Sequence, residues 1–231
     1  ITYPSGLTSK TDAKTMQTIS SDDLETGDTS SVNFAYSIWF YVDDWNYKYG
    51  QAKVIFGRLD QNQKPCPSVI LAPTQNNVNV SMTVYPSSSS PKEIIHSCGV
   101  HNIPIQRWVN LIISVYNRSL DIYIDGKLVR TCMLPGVPKI DNTADVQVTP
   151  GGGFSGYTTK LQYFDSSIDP QKAWNIYKLG YSDGFLSFLN KYEVQISVFD
   201  DFTFCSGCTS SAGRLSHGLP PKPQSDPKNI L

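Results

Sequence analysis

The stretch from Trp108 to Cys132 constrains the fold of this chain more than any other. Trp108–Tyr116 and Leu120–Ile124 carry the β-branched and aromatic residues that favour strands, and Asn117-Arg118-Ser119 turns the chain between them. Asp125-Gly126 then joins Leu120–Ile124 to Lys127–Cys132. Both turn residues tolerate positive φ, which a two-residue hairpin turn requires. Three strands in meander order follow, with the inner face hidden against a second layer of strands. Trp108, Leu111 and Ile113 are expected on that hidden face.

The rest of the chain supplies the second layer. From Asn33 to Val42 aromatic and β-branched residues run almost without interruption, as in a strand buried on both faces. Lys53–Leu59 and Ser68–Leu71 are further strands. Val78–Tyr85 alternates cleanly, with Val78, Val80, Met82 and Val84 on one face. Pro73-Thr74-Gln75-Asn76-Asn77 precedes it, and the Asn pair favours a turn with positive φ. A Ser-rich loop, Ser87–Pro91, leads towards the meander. Beyond it Pro135–Pro138 breaks the pattern, and Val146–Val148 and Tyr157–Phe164 return to strand, split by Gly151-Gly152-Gly153. Asp169 caps one short helix, Pro170 fits its first position and Gly180 ends it. Its residues Ala173, Trp174, Ile176, Tyr177 and Leu179 suit packing on the sandwich edge.

Tyr192, Val194, Ile196 and Val198 alternate as a half-exposed extra strand. Residues 1–31 read as an extended, Ser/Thr/Asp-rich arm. Residues 205–231 fall into Ser, Gly and Pro and cannot build a core. Fixing each residue of such a tail costs about 1–2 kcal/mol of backbone entropy, so a neighbouring chain or larger assembly is expected to pin it. The expected architecture is all-β: a two-sheet antiparallel jelly-roll sandwich over residues 32–204, with one short helix, between extended N- and C-terminal arms.

At 231 residues the chain suits a single large sandwich. A net charge of −1 provides no field to draw it to nucleic acid, which is excluded as a main partner. No apolar run reaches the ~18–20 residues of a membrane span, and no signal-peptide pattern opens the chain. The sequence begins at Ile1 rather than Met, which leaves room for a membrane anchor or signal upstream. Five cysteines make an odd count, so one stays free or pairs with another chain if the others bridge.

Catalytic chemistry finds little support. Glycoside hydrolysis needs two carboxylates flanking the bond, and the acids cluster instead as loop-type runs, Asp22-Asp23-Leu24-Glu25, Asp43-Asp44 and Asp200-Asp201. His96 and His101 flank Cys98, but no local context supplies an orienting partner for a nucleophile. Cys205-Ser206-Gly207-Cys208 has the spacing of a zinc half-site or redox pair, yet only His217 stands near as a third ligand. No catalytic residue, metal or cofactor is therefore expected. Asn79-Val80-Ser81 and Asn117-Arg118-Ser119 match the glycosylation sequon, and Asn117, at a turn tip, is the stronger candidate. Trp45, Asn46, Tyr47 and Tyr49, in a loop with Asp43 and Asp44, are candidates for glycan binding. The alternative is that these rings close the end of the sandwich.

Tyr36-Ser-Ile-Trp-Phe40 followed by Asp43-Asp-Trp-Asn46, then Ile103-Pro-Ile-Gln-Arg-Trp-Val109 and Asn117-Arg-Ser-Leu-Asp-Ile-Tyr-Ile-Asp-Gly126, form one pattern with Gly156 and Leu161-Gln-Tyr163. This pattern resembles the laminin-G-like domain of the concanavalin A-like lectin/glucanase superfamily over roughly residues 33–180. The variant with Asp43-Asp44-Trp45-Asn46-Tyr47 and Cys132-Met-Leu-Pro-Gly136 is similar to copies in virion proteins of large nucleocytoplasmic DNA viruses, including those of algae. In that pattern Cys98 and Cys132 recur together, and the resemblance implies a disulfide between them, which needs Cα atoms within ~7 Å. The superfamily's glucanase residues and calcium loop have no match here. The resemblance implies a non-enzymatic structural protein, a minor capsid component of the virion, whose partners are other capsid proteins. A lectin-like adhesion module binding glycans is the alternative, and a glycoside hydrolase ranks last.

Overall fold

Alternating strands account for most of what the computed structural model describes, namely residues 9–24, 32–86 and 92–182. The chain divides into two units, Ile1–Glu193 and Val194–Leu231, and every described residue belongs to the first. The expected strand Tyr192–Val198, the tail 205–231 and the residues Asp200, Asp201, Cys205, Cys208 and His217 lie outside the described residues.

In chain order the strands are β1 (Thr11–Asp12), β2 (Gln17–Ile19), β3 (Phe34–Asp44), β4 (Lys53–Leu59), β5 (Pro65–Leu71), β6 (Val78–Tyr85) and β7 (Ile94–Val100). There follow β8 (Trp108–Tyr116), β9 (Ser119–Ile124), β10 (Lys127–Met133), β11 (Val137–Pro138), β12 (Val146–Val148) and β13 (Ser155–Phe164), then helix α1 (Pro170–Leu179). They pair antiparallel into two sheets. The six-stranded sheet runs β1-β13-β3-β8-β9-β10. The seven-stranded sheet runs β11-β6-β5-β4-β12-β2, with β7 also on β6. This is the all-β two-sheet antiparallel sandwich, with one helix, that the pattern of strands implies.

The meander forms as its turn residues dictate. Asp125 has φ 51° and Gly126 φ 73°, so both central residues occupy the left-handed region that the two-residue hairpin demands. Leu111 pairs with Ile124, Ile113 with Ile122 and Leu120 with Cys132. Tyr36, Ile38 and Phe40 of β3 continue this inner face, and Val69, Val78, Val80, Met82 and Val84 of the other sheet meet it in one buried cluster. Each such side chain, fully withdrawn from water, contributes about 1.5–3 kcal/mol. At a register shift where β13 pairs with β3, a Cβ on Gly156 would lie 1.8 Å from the Tyr41 carbonyl oxygen, so only glycine permits that approach.

Trp108 departs from expectation. It shares its parity with Asn110 and Ile112, whereas Val109, Leu111 and Ile113 point inward. Its ring is half-buried on the outer face of the sheet, stacked 4.7 Å from Tyr181 and beside Tyr41. The helix also differs from expectation, in that it covers this outer face rather than an edge. Ala173 packs with Ala35, Ile112, Tyr123 and Ile168 in a second buried cluster. Asp169 caps the helix by accepting from the Lys172 N–H at 2.7 Å, and Gly180 ends it. A Cβ on Gly126 would meet Tyr177 at 2.9 Å and Trp174 at 3.0 Å, so the hairpin turn doubles as the seat of the helix.

The N-terminal arm requires correction over residues 9–24. β1 pairs with β13 and β2 with β12, and Ala13, Ile19 and Leu24 join the main core. Strands of two and three residues carry no readable alternation, and the open sheet edges template them. β7 is absent from the sequence expectation for a related reason. It is an edge strand in which Ile94 and Ile95 are exposed while Cys98 and Val100 are buried, so no clean period shows. The Asn76-Asn77 turn forms without positive φ at either residue.

A disulfide joins Cys98 of β7 to Cys132 of β10, with Cα atoms 6.3 Å apart, and so ties one sheet to the other. An ion network links the loops elsewhere. Asp60 accepts from the Asn62 and Lys64 N–H groups at 2.8 Å, and Lys139 bridges Asp60 at 2.7 Å and Glu93 at 2.6 Å. Hydrogen bonds from Lys139 and Lys64 hold the Glu93 carboxyl down at about 2. Cys66 is buried and, among the described residues, is a free thiol, which burial pushes up to about 11.

Candidate functional site

A cleft of about 690 Å³ opens where three loops meet at one end of the sandwich. The loop after β3 brings Trp45, the β5–β6 turn brings Thr74, Gln75, Asn76 and Asn77, and the segment after β7 brings His101, Asn102 and Ile105. The volume falls in the range of about 300–1,000 Å³ typical of small-ligand sites.

Backbone and amide hydrogen bonds fix these loops to one another. Asn76 accepts from the Ile103 N–H at 2.7 Å through its carbonyl oxygen, and its side-chain Nδ2 donates to the Ile103 carbonyl at 3.0 Å. The Asn102 N–H donates to Asn77 Oδ1 at 3.1 Å, and Asn77 Nδ2 donates to Gln75 Oε1 at 2.8 Å. The Gly50 N–H reaches the Pro73 carbonyl at 3.0 Å, which holds the Trp45 loop against the turn. Wall-forming amides are thereby committed, while the side chains of Thr74, His101 and Asn102 remain for a ligand.

Trp45 is half-buried and packs against the main core. Lys53, only 2% exposed, places its Nζ 4.5 Å from the Trp45 ring centroid and has no hydrogen-bond acceptor. Trp45 Nε1 is also buried and unpaired. Burial lowers the Lys53 pKa, and the charge of Asp44 opposes that shift.

The loop aromatics proposed for glycan contact are not gathered into one platform. Trp45 alone of the four lines the cleft. The Tyr47 hydroxyl donates to the Gly152 carbonyl at 3.1 Å, with the ammonium groups of Lys14 and Lys48 over its ring. Tyr49 is exposed, and the Asn46 N–H closes a turn onto Asp44 Oδ1 at 2.9 Å. The chain turns repeatedly here, with Lys48 at φ 52° and Gly50 at φ 80°, and so sends neighbouring rings in different directions.

Asn117 sits exposed at the β8–β9 turn with φ 53°. Asn79 lies half-buried in β6 between β5 and β7, its Oδ1 over Gly99, where a Cβ would come within 2.8 Å of it. His96 lies on β7 rather than at a turn. Asp43 and Asp44 are exposed at the end of β3, and Asp22 and Asp23 occupy a single helical turn capped by Ser20. Among the described residues no carboxylate lines the cleft. Among the described residues no group of three or more His, Cys, Asp or Glu side chains is placed to hold a metal ion, and no helix is long and apolar enough to cross a membrane.

The sandwich, the Asp125-Gly126 meander and the Gly156 register shift define the fold, and residues 14–178 match the family described as the Concanavalin A-like lectin/glucanases superfamily. The chain belongs to that superfamily. No curated protein matches this concanavalin A-like chain. Among solved structures, two mutants of HCR/D superpose with TM-scores of 0.53 and 0.50, each at 11% identity. They cover 67% and 65% of this chain, and 39% and 38% of their own. The binding domain of botulinum neurotoxin serotype D/C matches at 15% identity with a TM-score of 0.48, over 63% of this chain and 36% of its own. The concanavalin A-like chain thus spans little more than a third of these structures, and the likeness is one of fold.

The cleft residues Gln75, Asn76, His101 and Asn102 do not stand out in the sequence as a site. The amide-rich run before β6 is visible there, but its meeting with residues 101–105 depends on the pairing of β6 with β7.

Proposed function

We propose that this domain is a non-catalytic carbohydrate-binding module whose ligand seats in the Trp45 cleft. The supporting observation is the lining: an indole, amides, a hydroxyl and an imidazole, with no carboxylate among the described residues. Sugars present C–H faces that stack on an indole, and hydroxyls that amides both donate to and accept from. Hydrolysis of a glycosidic bond needs two carboxylates about 5–9 Å apart, one on each side of the bond. Among the described residues the cleft offers neither. A glycan array read with the wild-type domain, Trp45→Ala and Tyr49→Ala tests this. Binding is expected to fall by about tenfold or more in Trp45→Ala, the loss of one well-packed aromatic contact. Tyr49→Ala, outside the cleft, should match the wild type. An array without hits, or hits indifferent to Trp45, removes the proposal.

A different observation favours a second reading, in which the domain is a minor structural component of a large DNA virus particle held by protein–protein contacts. β10 ends its sheet with Leu128, Val129 and Met133 exposed, and β7 exposes Ile94 and Ile95. Unpaired edges bearing apolar side chains suit addition of a neighbour's strand. Deleting residues 205–231 should leave a folded domain that no longer enters particles. Normal incorporation of the shortened chain counts against this reading.

A further inference from the structure

The His101-Asn102 segment that lines the Trp45 cleft also lines a second one. On the far side of the His101-Asn102 segment a second cleft of about 270 Å³ is formed by the Gly99–Pro104 segment, Ile124, Val129 and Arg130, and both clefts share His101 and Asn102. The disulfide holds this second cleft in place, since Gly99 follows Cys98 and Arg130 lies two residues before Cys132. Arg130 Nε contacts Cys132 Sγ at 3.4 Å, which anchors the guanidinium beside the cleft and leaves its two Nη groups for a ligand.

Charge is distributed unevenly around the two clefts. Among the described residues neither cleft is lined by an Asp or Glu. Arg130 stands at one end and His101 in the middle, while the buried Lys53 ammonium lies against Trp45 at the other, its charge offset by Asp44. The chain as a whole carries −1, so the positive charge that Arg130 brings to the second cleft is local. A guanidinium forms its strongest contacts with carboxylate or sulfate oxygens, often through two parallel hydrogen bonds.

We propose that the two clefts are consecutive subsites for an acidic oligosaccharide. One ring would stack on Trp45, and a carboxylate- or sulfate-bearing ring would lie past His101 on Arg130. The assignment rests on the carbohydrate-binding reading above and adds to it the ligand's charge and its length beyond one ring.

Titration calorimetry with matched pairs separates the two ideas. The probes are oligogalacturonate, oligoalginate and a sulfated oligosaccharide, each beside its methyl-esterified or desulfated counterpart. At least one acidic member is expected to bind more tightly than its neutral partner, with an affinity that falls as salt is raised. Arg130→Gln should weaken that acidic member about tenfold and leave the neutral partner within about twofold, the loss of one charge-assisted contact. Arg130 is exposed on an edge strand, so the substitution leaves the core intact. Neutral and acidic members binding equally, both lost in Trp45→Ala, would overturn the acidic-ligand assignment and leave the carbohydrate reading standing. Acidic binding indifferent to Arg130→Gln would overturn the second subsite. No binding by any member, together with an empty neutral glycan array, would overturn both proposals.

Discussion

Removing the Cys98–Cys132 bridge should destabilise the domain by about 4 kcal/mol. The bridge spans a sequence separation of 34 residues. In the loop-entropy description a cross-link of that span removes about 13 cal/mol/K from the unfolded chain, or about 4 kcal/mol at 25 °C. Set against a total stability of about 5–15 kcal/mol for an ordinary domain, that is a large share. The perturbation is the double substitution Cys98→Ala/Cys132→Ala, which removes this bridge and leaves the other three cysteines in place. Urea unfolding followed by tryptophan fluorescence reads the outcome. With m near about 2.5 kcal/mol/M, the midpoint should fall by roughly 1.5 M. The folded spectrum should be unchanged, because the core cluster that Cys98 and Cys132 join is built mainly of side chains from both sheets that the substitutions leave in place. A loss below about 1 kcal/mol would refute the reasoning, since it would mean that the unbridged, unfolded chain already keeps the two ends of the loop close.

Three further outcomes are expected. Met82→Ala, at a position with 0% exposure in the centre of the core, should cost about 2–5 kcal/mol in the same urea assay. Glu93 has a carboxyl depressed to about 2 by Lys139 and Lys64, so its contribution is fully present above the unfolded value near 4.5 and is lost as pH falls towards 2. Glu93→Gln should therefore flatten the fall in stability across that window in an acid titration followed by circular dichroism. Produced through a secretory pathway, the domain should carry a glycan at Asn117 and none at Asn79. Mass spectrometry should show the added mass vanish in Asn117→Gln and persist in Asn79→Gln.

Local chemistry makes the framework legible. Asp125-Gly126 dictates a hairpin, Asp169 and Gly180 bound a helix, and Val78 to Val84 mark one core-facing row by alternation alone. The departures share a cause. Thr11–Asp12, Gln17–Ile19 and Ile94–Val100 are strands by virtue of an edge to pair with, not of their own pattern. A large aromatic favours burial, which points Trp108 inward on sequence grounds; it is indeed covered, but by Tyr181 on the opposite face. The site is half legible. Trp45 stands out as an aromatic in a polar loop, whereas its partners at residues 74–77 and 101–105 are brought to it by sheet topology, which no local window contains.

The position of Cys66 bears on how the bridge survives. With its thiol held near 11, only about one molecule in ten thousand carries the reactive thiolate there at pH 7. Exchange begins with attack by a thiolate on sulfur, and this sulfhydryl is sealed inside the protein, its proton directed at the Lys64 carbonyl. The fold thus keeps this nucleophile dormant, and attack by Cys66 on Cys98–Cys132 has to wait for the sandwich to open.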